Sequence, residues 1–367
     1  MLPIEHLYVH IPFCPKLCPY CCFYVEEGGR NKNIAFLDAL LSELDAVQAM
    51  RRVVPKTIYF GGGTPTALLV NQLEYLLQGI HTRLPLNALQ EWTVEANPAT
   101  VRPEKARVLR EAGVTRISLG VQSWNSATLK TLGRVHSAQQ AHTTYDLLRS
   151  TGFPAVNIDL MFSVPGQTPE EWESDLKTTL ELEPEHISAY CLTYEEDTEY
   201  FRKLRTGQFV QSEEKDARMF ELTMDVLSGA GFRQYEISNH ARRGFESKHN
   251  LAYWQGREYL GLGPSAFSTL KGTRFQNVRD TAEYVKRLQG GVSPMLTQEA
   301  LPPETLLKES VAFGLRLDIG VAEEQLAPWS DETAHLEEIG LLERVEGHFR
   351  LTRRGKMLAD AVGERFM

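Results

Sequence analysis

The order of apolar and polar positions changes repeatedly along the first two thirds of the chain. Short β-rich runs alternate with stretches in which apolar residues recur every three or four positions, as at Ile34, Leu37, Leu41 and Leu44. The first pattern predicts strands and the second amphipathic helices. Six strands are predicted at His6–His10, Thr57–Phe60, Trp92–Glu95, Thr115–Val121, Val156–Phe162 and His186–Thr193. Helices are predicted at Ile34–Val47, Ala67–Gly79, Pro103–Ala112, Ser126–Leu132, Ala138–Ser150, Pro169–Leu182 and Glu213–Ala230, with a short strand at Arg233–Ile237.

Six strand-then-helix units in a row predict an α/β fold, because parallel strands need long helical crossovers. Either an open (β/α)6 barrel or a doubly wound sheet fits such a run, and both folds place their chemistry at the carboxyl ends of the strands. Unusual residues lie on or just after every predicted strand, namely Cys14, Gly61–Gly63, Glu95, Gln122, Asp159 and Thr193. The pattern therefore predicts one functional rim.

The pattern changes after about residue 240. Ala241–Ser268 is rich in Gly, His and aromatic residues but weak in periodicity, which predicts a long ordered loop of the kind that often carries function. Beyond Glu304, a winged-helix-like domain is predicted from helices at Leu306–Leu315, Glu323–Leu326 and Glu332–Ile339, a hairpin at Leu342–Leu351 and a final helix at Thr352–Val362. The predicted domains are a core over 1–240, a connecting segment over 241–303 and a C-terminal domain over 304–367.

Composition limits the classes of function. Hydrophobic residues make up 42% of the 367 residues and charged residues 24%, which is typical of a globular protein. The net charge of -9 argues against nucleic-acid binding, which needs a basic surface. Neither a signal peptide nor an apolar run of about 18 residues is visible, so a cytoplasmic protein is expected.

Four of the five cysteines lie within nine positions, at Cys14, Cys18, Cys21 and Cys22. Such a cluster in a long chain indicates metal binding rather than disulfides. The spacing of Cys14, Cys18 and Cys21 suits three irons of a [4Fe–4S] cluster, with the fourth iron open to a ligand. Zinc is the alternative, with His10 or Cys22 as the fourth ligand. Cys22 and Cys191 are otherwise expected to be small buried thiols.

The run LYVHIPFCPKLCPYC resembles the opening of the radical S-adenosylmethionine enzymes. Within them it resembles the group that contains oxygen-independent coproporphyrinogen III oxidase and the HemW haem chaperones. The resemblance covers nearly the whole chain. It continues at Gly61–Thr66, Glu95–Pro98, Gly120–Ser123, Leu132–Ser137, Asn157–Thr168 and His186–Thr198.

The resemblance implies that S-adenosylmethionine binds the open iron through its amino and carboxylate groups. It assigns the cofactor to Gly62, Gly63 and Thr64, with Tyr8 and Tyr20 beside the cluster, Glu95, Gln122, Arg134 and Asp159 as further contacts, and Thr193 as a backbone contact. Glycine would let backbone amides approach the cofactor closely. The structural alternatives are a helix cap for Glu95, a surface ion pair for Arg134 and a plain turn for the glycines. Asp159, inside an apolar strand, must be paired or hydrogen-bonded.

Two features separate the branches of the group. The oxidase branch has a further cysteine where this chain has Phe23, and the chaperone branch typically has Asp where it has Cys22. The run HNLAYW from His249 to Trp254 resembles a chaperone motif connected with haem binding. An imidazole can ligate haem iron, and Tyr253 and Trp254 offer flat apolar faces. The alternative for His249 is a tertiary anchor, and Phe267 stands where relatives often have histidine.

The resemblance thus implies a haem chaperone with a radical S-adenosylmethionine core. It would deliver haem to an apo-haemoprotein, which is expected to be membrane-associated, and a homodimer is also possible on this reading. The competing class is an enzyme, above all a coproporphyrinogen III oxidase that generates a 5′-deoxyadenosyl radical. A third possibility is a binding protein whose cluster is only structural.

Overall fold

A nine-stranded sheet forms the centre of the protein in a computed structural model that describes residues 3–367. Its strands run in the spatial order β9-β1-β2-β3-β4-β5-β6-β8-β7. They are β1 (Ile4–Ile11), β2 (Val53–Gly62), β3 (Glu91–Ala96), β4 (Arg116–Gln122), β5 (Ala155–Phe162), β6 (His186–Cys191), β7 (Arg233–Gln234), β8 (Asn239–Ala241) and β9 (Leu260–Leu262).

The order of β1 to β6 decides between the two predicted folds. These six strands are parallel and follow one another in chain order, with no reversal of direction. A doubly wound sheet reverses its order part-way, whereas a barrel does not. The predicted partial (β/α)6 barrel is therefore confirmed.

Helices connect the strands and cover one face of the sheet. Those of the first two thirds are α1 (Arg30–Met50), α2 (Val70–Arg83), α3 (Pro103–Glu111), α4 (Ser126–Thr131), α5 (Ala138–Thr151), α6 (Pro169–Glu181), α7 (Glu199–Arg205) and α8 (Glu213–Gly229). The predicted positions are confirmed to within a few residues. Ser137 and Thr168 begin α5 and α6 with capping boxes, in which side chains accept the otherwise unpaired first amides.

The predicted loop at Ala241–Ser268 is wrong. The segment forms helix α9 (Lys248–Trp254) and strand β9, which pairs in parallel with β1 through Leu260 opposite Leu7. A seven-residue helix and a three-residue strand are too short to show a period in the sequence. The central sheet therefore includes residues beyond 240.

Two further sheets follow. An antiparallel sheet contains β10 (Phe267–Leu270), β11 (Thr273–Asn277) and β12 (Met295–Ala300), with α10 (Thr281–Gln289) between the last two strands. The C-terminal part contains α11 (Pro303–Leu315), β13 (Val321–Ala322), α12 (Glu323–Leu326), α13 (Ser330–Glu338), β14 (Leu342–Val345), β15 (His348–Leu351), α14 (Arg353–Met357) and α15 (Ala359–Glu364).

The C-terminal part has its own apolar core, which includes Val311, Leu315 and Phe349. Its helices and its β14–β15 hairpin agree with the predicted winged-helix-like pattern. The single final helix predicted at Thr352–Val362 is wrong, because a break at Leu358 divides it into α14 and α15. Among the helices of residues 3–367, none is both long enough and apolar enough to cross a bilayer.

Glu43 of α1 joins the core to the segment after β9. Its buried carboxylate accepts hydrogen bonds from the Gly263 amide at 2.9 Å, from Asn277 at 2.6 Å and from the Tyr284 hydroxyl at 2.6 Å. Burial raises the pKa of Glu43 from 4.5 to about 7, although these three donors oppose the rise. One carboxylate therefore links three segments that are distant in sequence.

The raised pKa of Glu43 predicts a pH dependence of stability. The unfolded chain releases this proton at a lower pH than the folded chain, so the free energy of unfolding should fall between pH 4.5 and about 7. The contribution is of the order of 3 kcal/mol. Urea unfolding at pH 5 and pH 8 measures it. The Glu43→Gln variant should lose much of this pH dependence. The control Glu337→Gln, which changes an exposed side chain, should retain it. An equal change of the free energy of unfolding with pH in both variants would contradict the prediction.

Candidate functional site

The two faces of the six-stranded barrel differ sharply in polarity. Every second residue, such as Leu7, Ile58 and Ile117, points into the apolar core under the helices. The intervening residues face inward and are polar. They are His6, Tyr8 and His10 on β1, Thr57 and Tyr59 on β2, Glu91, Thr93 and Glu95 on β3, Arg116 and Ser118 on β4, Asn157 and Asp159 on β5, and His186, Ser188 and Tyr190 on β6.

The cysteine loop follows β1 at the carboxyl end of the barrel. The Cys14 sulfur lies 3.5 Å from the Thr64 hydroxyl, and the Cys21 amide donates to the Cys18 carbonyl at 3.1 Å. Burial raises the pKa of Cys21 to about 12 and also raises the pKa of Cys14, and the neighbouring thiols contribute to both shifts. Free thiols here would be protonated at neutral pH, so a bound metal centre is what would hold them as thiolates.

Arg134 connects the cysteine loop to β4. Its guanidinium donates to the Cys18 sulfur at 3.7 Å and to the Gly120 carbonyl at 2.8 Å. Its Nε atom and the Gln122 Oε1 atom are buried without a hydrogen-bond partner. A donor and an acceptor left unpaired on the same rim fit a polar ligand, because such atoms are otherwise costly to bury.

The glycine loop after β2 packs directly against the cysteine loop. The amides of Gly63 and Thr64 donate to the carbonyls of Ile11 and Phe13 at 2.9 and 2.8 Å. These two amides thus bond within the protein, and the approach of the glycines to a cofactor stays a prediction. Close packing gives a further reason for the middle glycine: Gly62 has a φ of +98°, and a Cβ there would come within 2.4 Å of the His10 ring.

Two inward-facing carboxylates lie below the rim. Glu95 accepts a hydrogen bond from the Tyr59 hydroxyl at 2.8 Å, and burial raises its pKa to about 7. Asp159 accepts from Ser118 at 2.9 Å and from Asn157 at 2.7 Å, and burial raises its pKa as well. The expectation that Asp159 must be hydrogen-bonded is confirmed. After burial, the nearby charge of Asp159 also raises the pKa of Glu95.

The remaining predicted cofactor residues are more dispersed. Tyr8 contacts His10 through a 3.0 Å hydrogen bond, and Tyr20 packs on Tyr200 with ring centroids 6.0 Å apart while contacting Arg134. Thr193 lies two residues beyond the end of β6, and its side chain is exposed. The structure thus brings Tyr8 and Tyr20 to the barrel interior and the cysteine loop, while Thr193 lies at the outer edge of the rim.

The zinc alternative receives little support from the geometry. Both ring nitrogens of His10 are engaged, by Tyr8 and by the Tyr24 carbonyl at 2.9 Å. Within residues 3–367, no three His, Cys, Asp or Glu side chains converge on a point that suits one ion. That result does not conflict with a [4Fe–4S] cluster, because each thiolate then binds a different iron.

The burial expected for the two other cysteines is wrong. Cys22 and Cys191 are both exposed. Cys22 follows the last cysteine of the loop, while Cys191 ends β6, whose last two residues are exposed. Position at the rim rather than residue type therefore decides their exposure.

Helix α9 places His249 at the other end of the barrel. Its Nδ1 atom lies 2.8 Å from the Thr57 hydroxyl, which also bonds the His6 ring at 2.9 Å, and its amide donates to Glu91 at 3.1 Å. Thr57 is paired with Glu91, the first residue of β3, whereas the cysteine loop follows the carboxyl end of β1. The hydrogen bond to Thr57 uses Nδ1, so Nε2 is the ring nitrogen through which His249 could ligate haem iron.

The two aromatic residues of α9 occupy different environments. Tyr253 is 38% exposed and stacks on Phe313 of α11 at 5.6 Å. It lines a cleft of about 270 Å³ between α9, the β10–β11 hairpin and α11. Trp254 does not line this cleft; it lies under the Arg316 guanidinium, 4.7 Å from its ring centre. Other side chains that line the cleft are Arg257, Tyr259, Arg274, Leu306 and Glu309.

Comparisons with known proteins agree with this arrangement. The profile of the radical SAM superfamily matches residues 8–179. The haem chaperone HemW of Lactococcus lactis (strain IL1403) is 36% identical over 98% of this chain and 96% of its own length. The HemW proteins of Bacillus subtilis (strain 168) and Escherichia coli (strain K12) are 35% and 33% identical, with at least 99% of both chains covered in each case.

This chain belongs to the HemW family of the radical SAM superfamily. The fold is also that of coproporphyrinogen III oxidase (HemN) from Escherichia coli, with a TM-score of 0.85, 23% identity, and coverage of 99% of this chain and 90% of that one. Because the matches to HemW span nearly the full length, they include α9 and the C-terminal part as well as the barrel. Membership of the superfamily implies a [4Fe–4S] cluster and S-adenosylmethionine.

Several inward-facing residues escaped the sequence analysis. Tyr59, Ser118 and Asn157 hold the two carboxylates, and Tyr190 is 40% exposed although it lies on the inner face. A signal for them was present, since polar residues recur at every second position of the predicted strands. Parallel strands covered on both faces by apolar layers read as continuous apolar runs, so this alternation indicates a polar interior.

Proposed function

We propose that this protein is a haem chaperone built on a radical SAM core, which binds haem and passes it to an apo-haemoprotein. The observation that carries the proposal is the full-length similarity to HemW chaperones from three distant bacteria. Phe23 supports the same choice. It is 66% exposed at the position where the sequence comparison expects a cysteine in the oxidase branch.

The residues on the rim fit the implied cofactors. Cys14, Cys18 and Cys21 would hold the cluster, and the unpaired atoms of Arg134 and Gln122 would meet polar groups of S-adenosylmethionine. When bound, the two cofactors supply one-electron chemistry. The chain's own contribution is to keep the thiols close together, to supply a buried cation beside them and to orient Glu95 and Asp159. The other proposed cofactor contacts are Tyr8, Tyr20, Gly62, Gly63, Thr64 and Thr193.

For haem, the cleft beside α9 is the better-supported contact. Tyr253, Tyr259 and Phe313 give it aromatic walls, which suit a flat porphyrin, and the exposed Arg257 can pair with a propionate. Trp254 does not line the cleft but contacts Phe313, so it would help to hold that wall of the cleft in place. His249 is the candidate axial ligand, through its Nε2 atom.

Haem titration of the anaerobically reconstituted protein tests the proposal. Truncation of Tyr253 to alanine should weaken haem binding by about three- to tenfold, because a stacked aromatic contact is lost. Tyr75→Ala is a matched control, since Tyr75 is 47% exposed on α2, away from the cleft. A wild-type protein that binds no haem, or that fails to pass it to apomyoglobin, would contradict the chaperone function.

The enzymatic alternative has its own assay. The reconstituted protein is incubated anaerobically with coproporphyrinogen III, S-adenosylmethionine and a strong reductant, and we expect no protoporphyrinogen. Its formation would show an oxidase instead. A cytoplasmic location, a membrane-associated recipient and a homodimer belong to the same proposal as expectations of the sequence analysis.

A further inference from the structure

Tyr59 of β2 spans the interval between the two ends of the barrel. Its hydroxyl donates to the Glu95 carboxylate at 2.8 Å, toward the cofactor rim. Its ring lies 5.2 Å from the His249 ring at an interplanar angle of 34°, toward the amino ends of the strands. Tyr59 thus contacts both Glu95 and His249.

The space around the Tyr59–Glu95 pair is closely filled. A Cβ on Gly61, the next inward position of β2, would come within 2.8 Å of the Tyr59 ring and 2.9 Å of the Glu95 carboxylate. Because Gly61 has no side chain, the Tyr59 ring and the Glu95 carboxylate can occupy the space beside it. Glu95 also receives a hydrogen bond from the Gly62 amide, so its orientation depends on both donors.

His249 is itself held on three sides. Thr57 bonds its ring at 2.8 Å, and Glu91 accepts from its amide at 3.1 Å. The His6 ring stands edge-on to it, with the two ring centroids 6.5 Å apart. Glu91 is fixed in turn by Arg116 through a buried ion pair at 3.1 Å. A side chain so anchored can act as a fixed support for the Tyr59 ring.

We propose that His249 is a positioning residue of the S-adenosylmethionine site: it fixes Tyr59, whose hydroxyl orients Glu95. This inference rests on the proposed assignment of Glu95 to that cofactor. It gives the histidine of the HNLAYW run a role at the barrel core. It also joins α9, whose Tyr253 lines the proposed haem cleft, to the cofactor site through two consecutive contacts.

The affinity for S-adenosylmethionine of the anaerobically reconstituted full chain tests the inference. Its readout is the change that the cofactor produces in the electron paramagnetic resonance spectrum of the reduced cluster. Tyr59→Phe, which keeps the ring but removes the hydrogen bond, should weaken the affinity by about tenfold. His249→Ala should weaken it by a similar factor. The double variant should be no worse than Tyr59→Phe, because His249 acts through that hydroxyl.

His335→Ala is the control, since it removes an exposed imidazole on α13 of the C-terminal part. It should leave the affinity unchanged. Thr57→Val, which removes the hydroxyl that bonds the rings of His249 and His6, should weaken the affinity in the same direction and serves if His249→Ala fails to fold.

Two outcomes would overturn the inference alone. In one, His249→Ala binds S-adenosylmethionine normally but loses the haem spectrum. In the other, the losses of the two single variants add in the double variant. A wild-type protein that binds haem but no S-adenosylmethionine would overturn the inference together with the proposed cofactor site, so the two failures can be told apart.

Discussion

Replacement of Cys18 by serine is expected to abolish the iron–sulfur cluster. Iron and acid-labile sulfide should fall from about four atoms of each per chain to near zero, because two thiolates cannot hold a [4Fe–4S] cluster. Cys18 is the central cysteine of the loop and also the sulfur that receives the Arg134 guanidinium. Anaerobic purification followed by iron and sulfide analysis measures the loss. The same result is expected for Cys14→Ser and Cys21→Ser.

Cys22→Ser and Cys191→Ser are the matched controls. Both thiols are exposed, and neither belongs to the three-cysteine spacing. They should retain the wild-type iron content and colour. A cluster lost equally in Cys22→Ser, or a wild-type protein that is colourless and contains only zinc, would show that the three cysteines do not form an iron–sulfur site.

Loss of the buried ion pair below the barrel should destabilise the whole chain. The side chains of Arg116 and Glu91 are only 6% and 5% exposed, and their charged groups lie 3.1 Å apart. Arg116 also donates to the Phe245 carbonyl at 2.7 Å, and Glu91 accepts from the His249 amide. Arg116→Met leaves Glu91 buried without its cation, which should lower the free energy of unfolding by about 3–5 kcal/mol.

Urea unfolding compares this variant with an exposed pair of the same charge type. Lys177 and Glu173 lie 2.6 Å apart on α6 with side chains 64% and 38% exposed. Lys177→Met should change the stability by less than about 1 kcal/mol, because water screens exposed ion pairs. Equal effects of Lys177→Met and Arg116→Met would mean that the segment before α9 does not depend on the buried pair.

The long periodic elements were predictable because each shows its period over two or more turns or over several strand residues. α6 begins at Pro169 in both prediction and structure, and β5 differs from its predicted range by one residue. The short elements were not predictable. α9, β9 and the break at Leu358 each depend on contacts with distant segments, so their local sequence carries little information.

The candidate site divides in the same way. The three-cysteine spacing is local, so the sequence reveals it without a structure. The partners of those residues are distant in the chain: Arg134 is 116 positions from Cys18, and Tyr59 is 36 positions from Glu95. The sequence resemblance predicted several cofactor residues. It did not predict their hydrogen bonds, or that amides of the glycine loop donate to carbonyls of the cysteine loop.

The sequence by itself determined the six-unit α/β fold, the cysteine loop and the membership of a chaperone-like group, because periodicity and spacing are properties of neighbouring residues. Only the tertiary structure decided where α9 lies. His249 meets Thr57 across 192 positions of chain, at the end of the barrel opposite the cysteines. A contact of that range arises from the register of the strands and the packing of α9, which no local pattern encodes.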